Sequence, residues 1–134
     1  MQSLRIVPFE QVGVLRFGMT RQESREVLND EWHSFLKGPK SVVATDAYDK
    51  LGLHLYFGDS ECLECVDVFS PNGVVYEGVE LVGRDVHDVA RELTTAGCSC
   101  RSDDGIFCDE QGFALFAPDG IVLAVTIYAR GYEM

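Results

Sequence analysis

The chain has 134 residues and a formal net charge of −11, with 22 acidic against 11 basic side chains and 46% hydrophobic residues. That length and apolar content suffice for one domain, residues 1–134, that buries a core without a metal or crosslink, and no apolar run approaches the ~18 residues that span a bilayer. Residues 1–50 hold seven acidic and seven basic side chains while residues 51–134 hold fifteen and four, a field that repels nucleic-acid phosphate and anionic membrane and attracts a basic protein.

In chain order, Met1-Gln2-Ser3-Leu4-Arg5 shows no charged region followed by an apolar segment and cleavage site, which predicts a cytoplasmic protein. Leu4 to Val7 and Val12 to Phe17 read as short strands. Gly18 then permits a sharp turn, and Thr20 with Glu23 three residues on forms a capping box that opens a helix over Arg21 to Leu28. Val27 and Leu28 are its expected core positions, with Met19 packing from just outside. Glu31 to Leu36 suggests a strand that ends at Lys37-Gly38-Pro39, and Thr45 to Asp49 reads as a loop.

From Leu51 the pattern is β. Leu53, Leu55 and Phe57 alternate with His54 and Tyr56, Gly58 to Glu61 turns, and Leu63 to Phe69 returns as the second arm of a hairpin. After the Pro71-Asn72-Gly73 turn come Val74 to Tyr76 and Val79 to Val82, then a helix capped by Asp85 whose Val86, Val89, Ala90 and Leu93 form one apolar stripe closed by Gly97. Ile106 to Cys108 follows a polar turn, and a last hairpin runs Phe113 to Ala117 and Ile121 to Ala129.

The two hairpins echo one another. Gly52 to Tyr56 matches Gly112 to Phe116 at an offset of 60, and the helix starts at Gly18 and Gly83 match at an offset of 65. The expected architecture is therefore α+β: an antiparallel sheet with two helices packed against it, built from two related strand-helix-hairpin halves at about 12–76 and 79–130.

The extended segment followed by Gly18-Met19-Thr20 and a helix resembles the small bacterial BamE/SmpA-type domains over about Val12 to Leu28. That resemblance implies a helix opening ahead of an antiparallel sheet. Leu28-Asn29-Asp30 departs from the Leu-Gly-x-Pro that follows the helix in those domains, and no lipid-attached cysteine stands near Met1, so the resemblance implies a fold element and does not carry the membrane-assembly role with it. In size, charge and style the chain is similar to small acidic bacterial proteins that act as immunity partners of secreted toxins.

No local motif for catalysis is present. Cys62-x-x-Cys65 has the spacing of half a zinc site, with Cys98, Cys100 and Cys108 as further thiols. Residues three apart on a strand face opposite ways and no Gly or Pro forms a knuckle, so neither a metal nor a cofactor is expected, and the five cysteines read as free, buried thiols. His33, His54 and His87 lack the spacing of a ligand pair, and Asp103-Asp104-Gly105 lacks the alternating ligands of a calcium loop. The acids Asp59, Glu61, Glu64, Asp67, Asp103, Asp104, Asp109 and Glu110, with Tyr56 and Phe107 as aromatic anchors, read instead as a surface for a basic protein partner. The function expected is a non-enzymatic immunity-type inhibitor that occludes a basic toxin; a small-ligand or peptide-binding domain and an enzyme with a dispersed site are the alternatives.

Overall fold

The computed structural model describes residues 3–40, 42–102 and 105–132. In chain order they form β1 (Leu4–Val7), β2 (Gln11–Val12), β3 (Leu15–Arg16), α1 (Arg21–Leu28), β4 (His33–Phe35), β5 (Thr45–Tyr48), β6 (Leu53–Phe57) and β7 (Leu63–Phe69). They continue with β8 (Val74–Tyr76), β9 (Val79–Glu80), α2 (Val86–Thr95), β10 (Arg101–Ser102), β11 (Ile106–Cys108), β12 (Phe113–Phe116) and β13 (Ala124–Tyr128). The fold is mostly sheet with two helices, in keeping with the α+β expectation. Among the described residues no helix is long and apolar enough to cross a membrane.

Both helices begin where local chemistry requires. The Thr20 hydroxyl accepts from the Glu23 N–H at 3.1 Å and the Glu23 carboxylate accepts from the Thr20 N–H at 2.9 Å, completing the capping box. Asp85 caps α2 by accepting from the N–H groups of His87 and Asp88. Gly97, at a φ of 98°, ends α2: its N–H donates to the Thr94 carbonyl and the Cys98 N–H to the Leu93 carbonyl, the paired bonds of a Schellman stop. In α2, Val86, Val89 and Leu93 are buried as the stripe predicts.

One antiparallel sheet was expected, and two sheets are found. The larger is antiparallel throughout, in the order β10-β11-β12-β13-β7-β6-β5-β4. The smaller runs β3-β2-β1-β8-β9 and contains a parallel pair, β1 with β8, in which Leu4 faces Val74 and Arg5 faces Val75. Short apolar strands announce themselves in sequence but not their partners, since parallel and antiparallel pairing place the same alternation on a face. Leu53, Leu55, Val66, Val68, Phe113, Leu115, Val125 and Ile127 point from the larger sheet into a core that also takes Ile6, Val12, Leu15, Val74 and the α2 stripe. The smaller sheet and α2 therefore cover one face of the larger sheet.

Each helix start is tied to the larger sheet by backbone. The Gly18 N–H donates to the Leu63 carbonyl, the Leu63 N–H to Met19 and the Arg21 N–H to Glu61. Ahead of α2 the Gly83 N–H donates to Val122, the Val122 N–H to Arg84 and the Val86 N–H to Gly120.

Four local expectations change. Val12 to Phe17 is a tight hairpin rather than one strand, because Gly13 at a φ of 58° reverses it. Thr45 to Tyr48, expected as a loop, is a strand with all four residues buried. In α1 the buried residue is Ser24, while Val27 is 44% exposed. Of the final apolar run only Ala124–Tyr128 is strand; Ile121 ahead of it bridges to Asp85.

The second and third changes share a cause. The Asp46 carboxylate on β5 is wholly buried and accepts from Arg21 Nη1 at 2.9 Å, from Arg25 Nε at 2.9 Å and Nη2 at 3.1 Å, and from the Ser34 hydroxyl at 2.8 Å. Burial pushes the Asp46 carboxyl upward, but the hydrogen bonds from Arg25 and Ser34 and the two guanidinium charges outweigh it and hold it below the ordinary range. With Arg21 and Arg25 turned to the sheet, α1 docks by its polar face. The Arg21 guanidinium also lies 4.2 Å from the Phe57 ring centroid and that of Arg25 3.5 Å from Trp32.

Candidate functional site

The face of the larger sheet turned away from the core follows from strand register. His54 lies opposite Ala47 and Asp67, Asp67 opposite Thr126, Thr126 opposite Ala114, Ala114 opposite Phe107, and Phe107 opposite Arg101. One row of side chains thus crosses the whole sheet. Beside it Tyr56 lies opposite Cys65 and Cys65 opposite Tyr128; on the other side Phe69 lies opposite Ala124 and Ala124 opposite Phe116. Tyr132 stacks on Tyr128 at 6.2 Å and Phe9, from the β1–β2 turn, meets it edge-on at 6.4 Å, so Cys65 and Tyr128 are buried, while the row through His54, Asp67 and Phe107 and the Phe69–Phe116 side stay partly open.

Its centre is a carboxylate held in place. Asp67 accepts from the Tyr56 hydroxyl at 2.7 Å and from the Thr126 hydroxyl at 2.6 Å. Burial, then the hydrogen bond to Asp67 and the Asp67 charge, push the Tyr56 phenol well above its usual range, so it stays protonated as the donor. His54 sits between two rings, 5.3 Å from Phe35 and 4.7 Å from Phe69, both edge to face. Its partial burial lowers its pKa despite the opposing pull of Asp67 and Asp49, which favours neutral imidazole at pH 7. Phe116 is 57% exposed, and Lys37 Nζ lies 4.6 Å from the centroid of Tyr56. Tyr56, Asp59 and Tyr132 with Lys37 and Lys40 line a depression of about 300 Å³ at one end of the face. These groups suit contact with a protein: broad ring surface, one oriented carboxylate, and peripheral charge.

The residues singled out in the sequence divide. Tyr56, Asp67 and Phe107 share the open face, and Asp59 stands exposed at its end. Glu64 occupies the irregular step between β6 and β7, with its carboxylate against Gly58. Glu61 is ion-paired with Arg21, on the side of α1. Asp109 pairs with Arg101 at 2.8 Å, and the Arg101 guanidinium lies 4.5 Å over Phe107; Glu110 is exposed at the following turn. Asp103 and Asp104 lie outside the described residues. Among the described residues the acids therefore do not form one continuous surface. Sequence reading missed Phe35, Phe69, Phe116 and Thr126, all of which share the outward phase of their strands, the phase that His54 and Tyr56 already mark.

A second concavity lies elsewhere. Leu4, Val14, Val27, Leu28, Leu51 and Leu53, with Asn72, line an apolar groove of about 260 Å³. No group of three or more potential metal ligands occurs among the described residues. All five cysteines are free, and burial raises the thiols of Cys65 to about 12 and Cys98 to about 11. Comparisons with protein-family models, with curated proteins and with solved structures return no match to this chain.

Proposed function

We propose that this protein is a cytoplasmic, non-enzymatic immunity-type inhibitor that lays the open face of its larger sheet over a basic partner, such as a secreted toxin domain, and blocks the partner's active site sterically. The observation that carries this reading is the coincidence, on one partly open face, of ring surface from Phe35, Phe69, Phe107 and Phe116 with the oriented Asp67 carboxylate, in a chain of net charge −11. Rings supply the desolvated contacts of an interface, a fixed carboxylate pairs with a partner cation, and the net charge accelerates encounter.

Affinity capture from the source cell, with and without co-expressed neighbouring genes, tests it. The expected result is one basic protein recovered in equal amount at moderate salt, its recovery abolished by Phe116→Asp and retained with Val14→Asp on the apolar groove. Recovery that is indifferent to Phe116→Asp refutes the assigned face, and recovery of no protein refutes the inhibitor reading.

A second reading, a small-ligand or peptide-binding domain, is favoured by the apolar groove between α1, the smaller sheet and β6, where Val14 is 60% and Val27 44% exposed. Under it Val14→Asp abolishes binding and Phe116→Asp does not.

The proposal extends to the architecture: the chain consists of two related halves, about 12–76 and 79–130. Support comes from the matched hydrogen bonds at Gly18, Met19 and Arg21 and at Gly83, Arg84 and Val86, and from a sheet order in which β4 to β7 and β10 to β13 run outward from a central β7-β13 pair.

A further inference from the structure

Two of the five thiols meet. β10 and β11 pair with Arg101 opposite Phe107 and Ser102 opposite Ile106, and one more step of that register brings Cys100 opposite Cys108. Directly opposed residues of an antiparallel ladder hold their Cα atoms ~4.5–5.5 Å apart, within the ~4.4–6.8 Å that a disulfide spans. The two sulfur atoms are 2.9 Å apart, in a thiol–thiol contact. Backbone register and side-chain position thus both meet the demands of a bond between them.

The surroundings assign different roles to the pair. Cys108 is fully buried, and burial together with the adjoining Cys100 raises its thiol, so in the resting dithiol it is the less reactive partner. Cys100 is only partly covered, so a reagent reaches it first. Cys98, 5% exposed just beyond α2, is the nearest competitor in sequence, and Cys62 is half-buried with its thiol on the Ser60 carbonyl at 3.8 Å.

We propose that Cys100 and Cys108 are a reversible disulfide site, oxidised by a small-molecule disulfide of the glutathione type. The Cys100 thiolate attacks one sulfur of oxidised glutathione, forming a mixed disulfide and expelling one glutathione thiolate. Cys108 then loses its proton and attacks the Cys100 sulfur, forming the intrachain bond and expelling the second thiolate. The two protons released by the cysteines end on the two glutathiones, so a protein dithiol is oxidised and one small disulfide is reduced. The bond fastens β10, the outermost strand of the larger sheet, to β11. It also encloses Arg101 and Phe107 of the open face in one covalent ring.

The test uses the intact chain, incubated with excess oxidised glutathione, quenched in acid, alkylated under denaturing conditions and mapped by mass spectrometry. The expected product is a cross-linked peptide carrying Cys100 and Cys108, with neither bearing glutathione, reversed by dithiothreitol. Cys62 provides the internal comparison: a mixed disulfide formed there persists. Cys100→Ser should remove the cross-link and leave Cys108 unmodified. Stable glutathione on Cys100 beside an unreacted Cys108, a bond to Cys98 instead, or five alkylated cysteines at equilibrium would each overturn the proposal.

Discussion

Replacing Asp46 by asparagine removes one negative charge from a site with no solvent exposure and leaves two guanidinium groups facing a neutral amide. The arginine side chains are themselves only 13% and 25% exposed, so water does little to replace the lost partner. Breaking a buried ion pair from one side costs about 3–5 kcal/mol. Arg21 keeps Glu61 and the Ala44 carbonyl, and Arg25 keeps the face of Trp32, which puts the expectation near the lower end, about 3 kcal/mol. For a chain of this length that corresponds to a fall in Tm of about 9 °C. Urea unfolding at pH 7 should show the midpoint lowered with the slope unchanged. The effect must also depend on pH. Asp46 is held below its unfolded value of about 3.9, so its contribution is complete above that pH and is lost as pH falls through the lower folded value. The gap between wild type and Asp46→Asn should therefore close in acid. A loss under about 1 kcal/mol at pH 7, or a gap that does not narrow at low pH, would refute the view that this carboxylate docks α1 on the sheet.

Thr20→Ala removes the hydroxyl half of the capping box and should cost about 1 kcal/mol in urea unfolding, with most of it restored by Thr20→Ser. Tyr56→Phe deletes one of the two hydroxyl donors to the half-buried Asp67 and should cost about 1.5 kcal/mol; an unchanged midpoint would mean that solvent already satisfies the carboxylate. The oxidised Cys100–Cys108 form closes a loop of nine residues and should unfold about 2.5 kcal/mol later than the reduced form, a gain absent in Cys100→Ser treated identically.

What the sequence reveals is what acts over a few residues. The capping box at Thr20 and Glu23 and the stripe of Val86, Val89 and Leu93 ending at Gly97 are complete within one helix, so spacing alone places them. β6 is legible because Leu53, Leu55 and Phe57 alternate without interruption. β5 is not, because its inward side carries Asp46, whose two countercharges lie 21 and 25 residues earlier in the chain. A buried charge paired at that range looks the same in sequence as a solvated one. The same blindness affects the charged surface. Glu61 and Asp109 are as acidic in composition as Asp59 and Glu110, yet each is already held by an arginine of the same chain.

That internal pairing separates two jobs that a simple count of acids merges. A long-range field depends on net charge, to which Arg21 with Glu61 and Arg101 with Asp109 contribute almost nothing as pairs, and which exposed groups such as Asp59 and Glu110 sustain. Short-range recognition depends instead on groups whose orientation is set before a partner arrives, and Asp67, fixed by two hydroxyls among the rings of the open face, has that property. The first kind acts through association and fades within about 10 Å as salt rises to 0.1 M; the second acts through dissociation and is far less sensitive to salt. On the proposed inhibitor reading, the acidic second part of the chain would serve arrival and one carboxylate with its surrounding rings would serve retention, two jobs assigned to largely different residues.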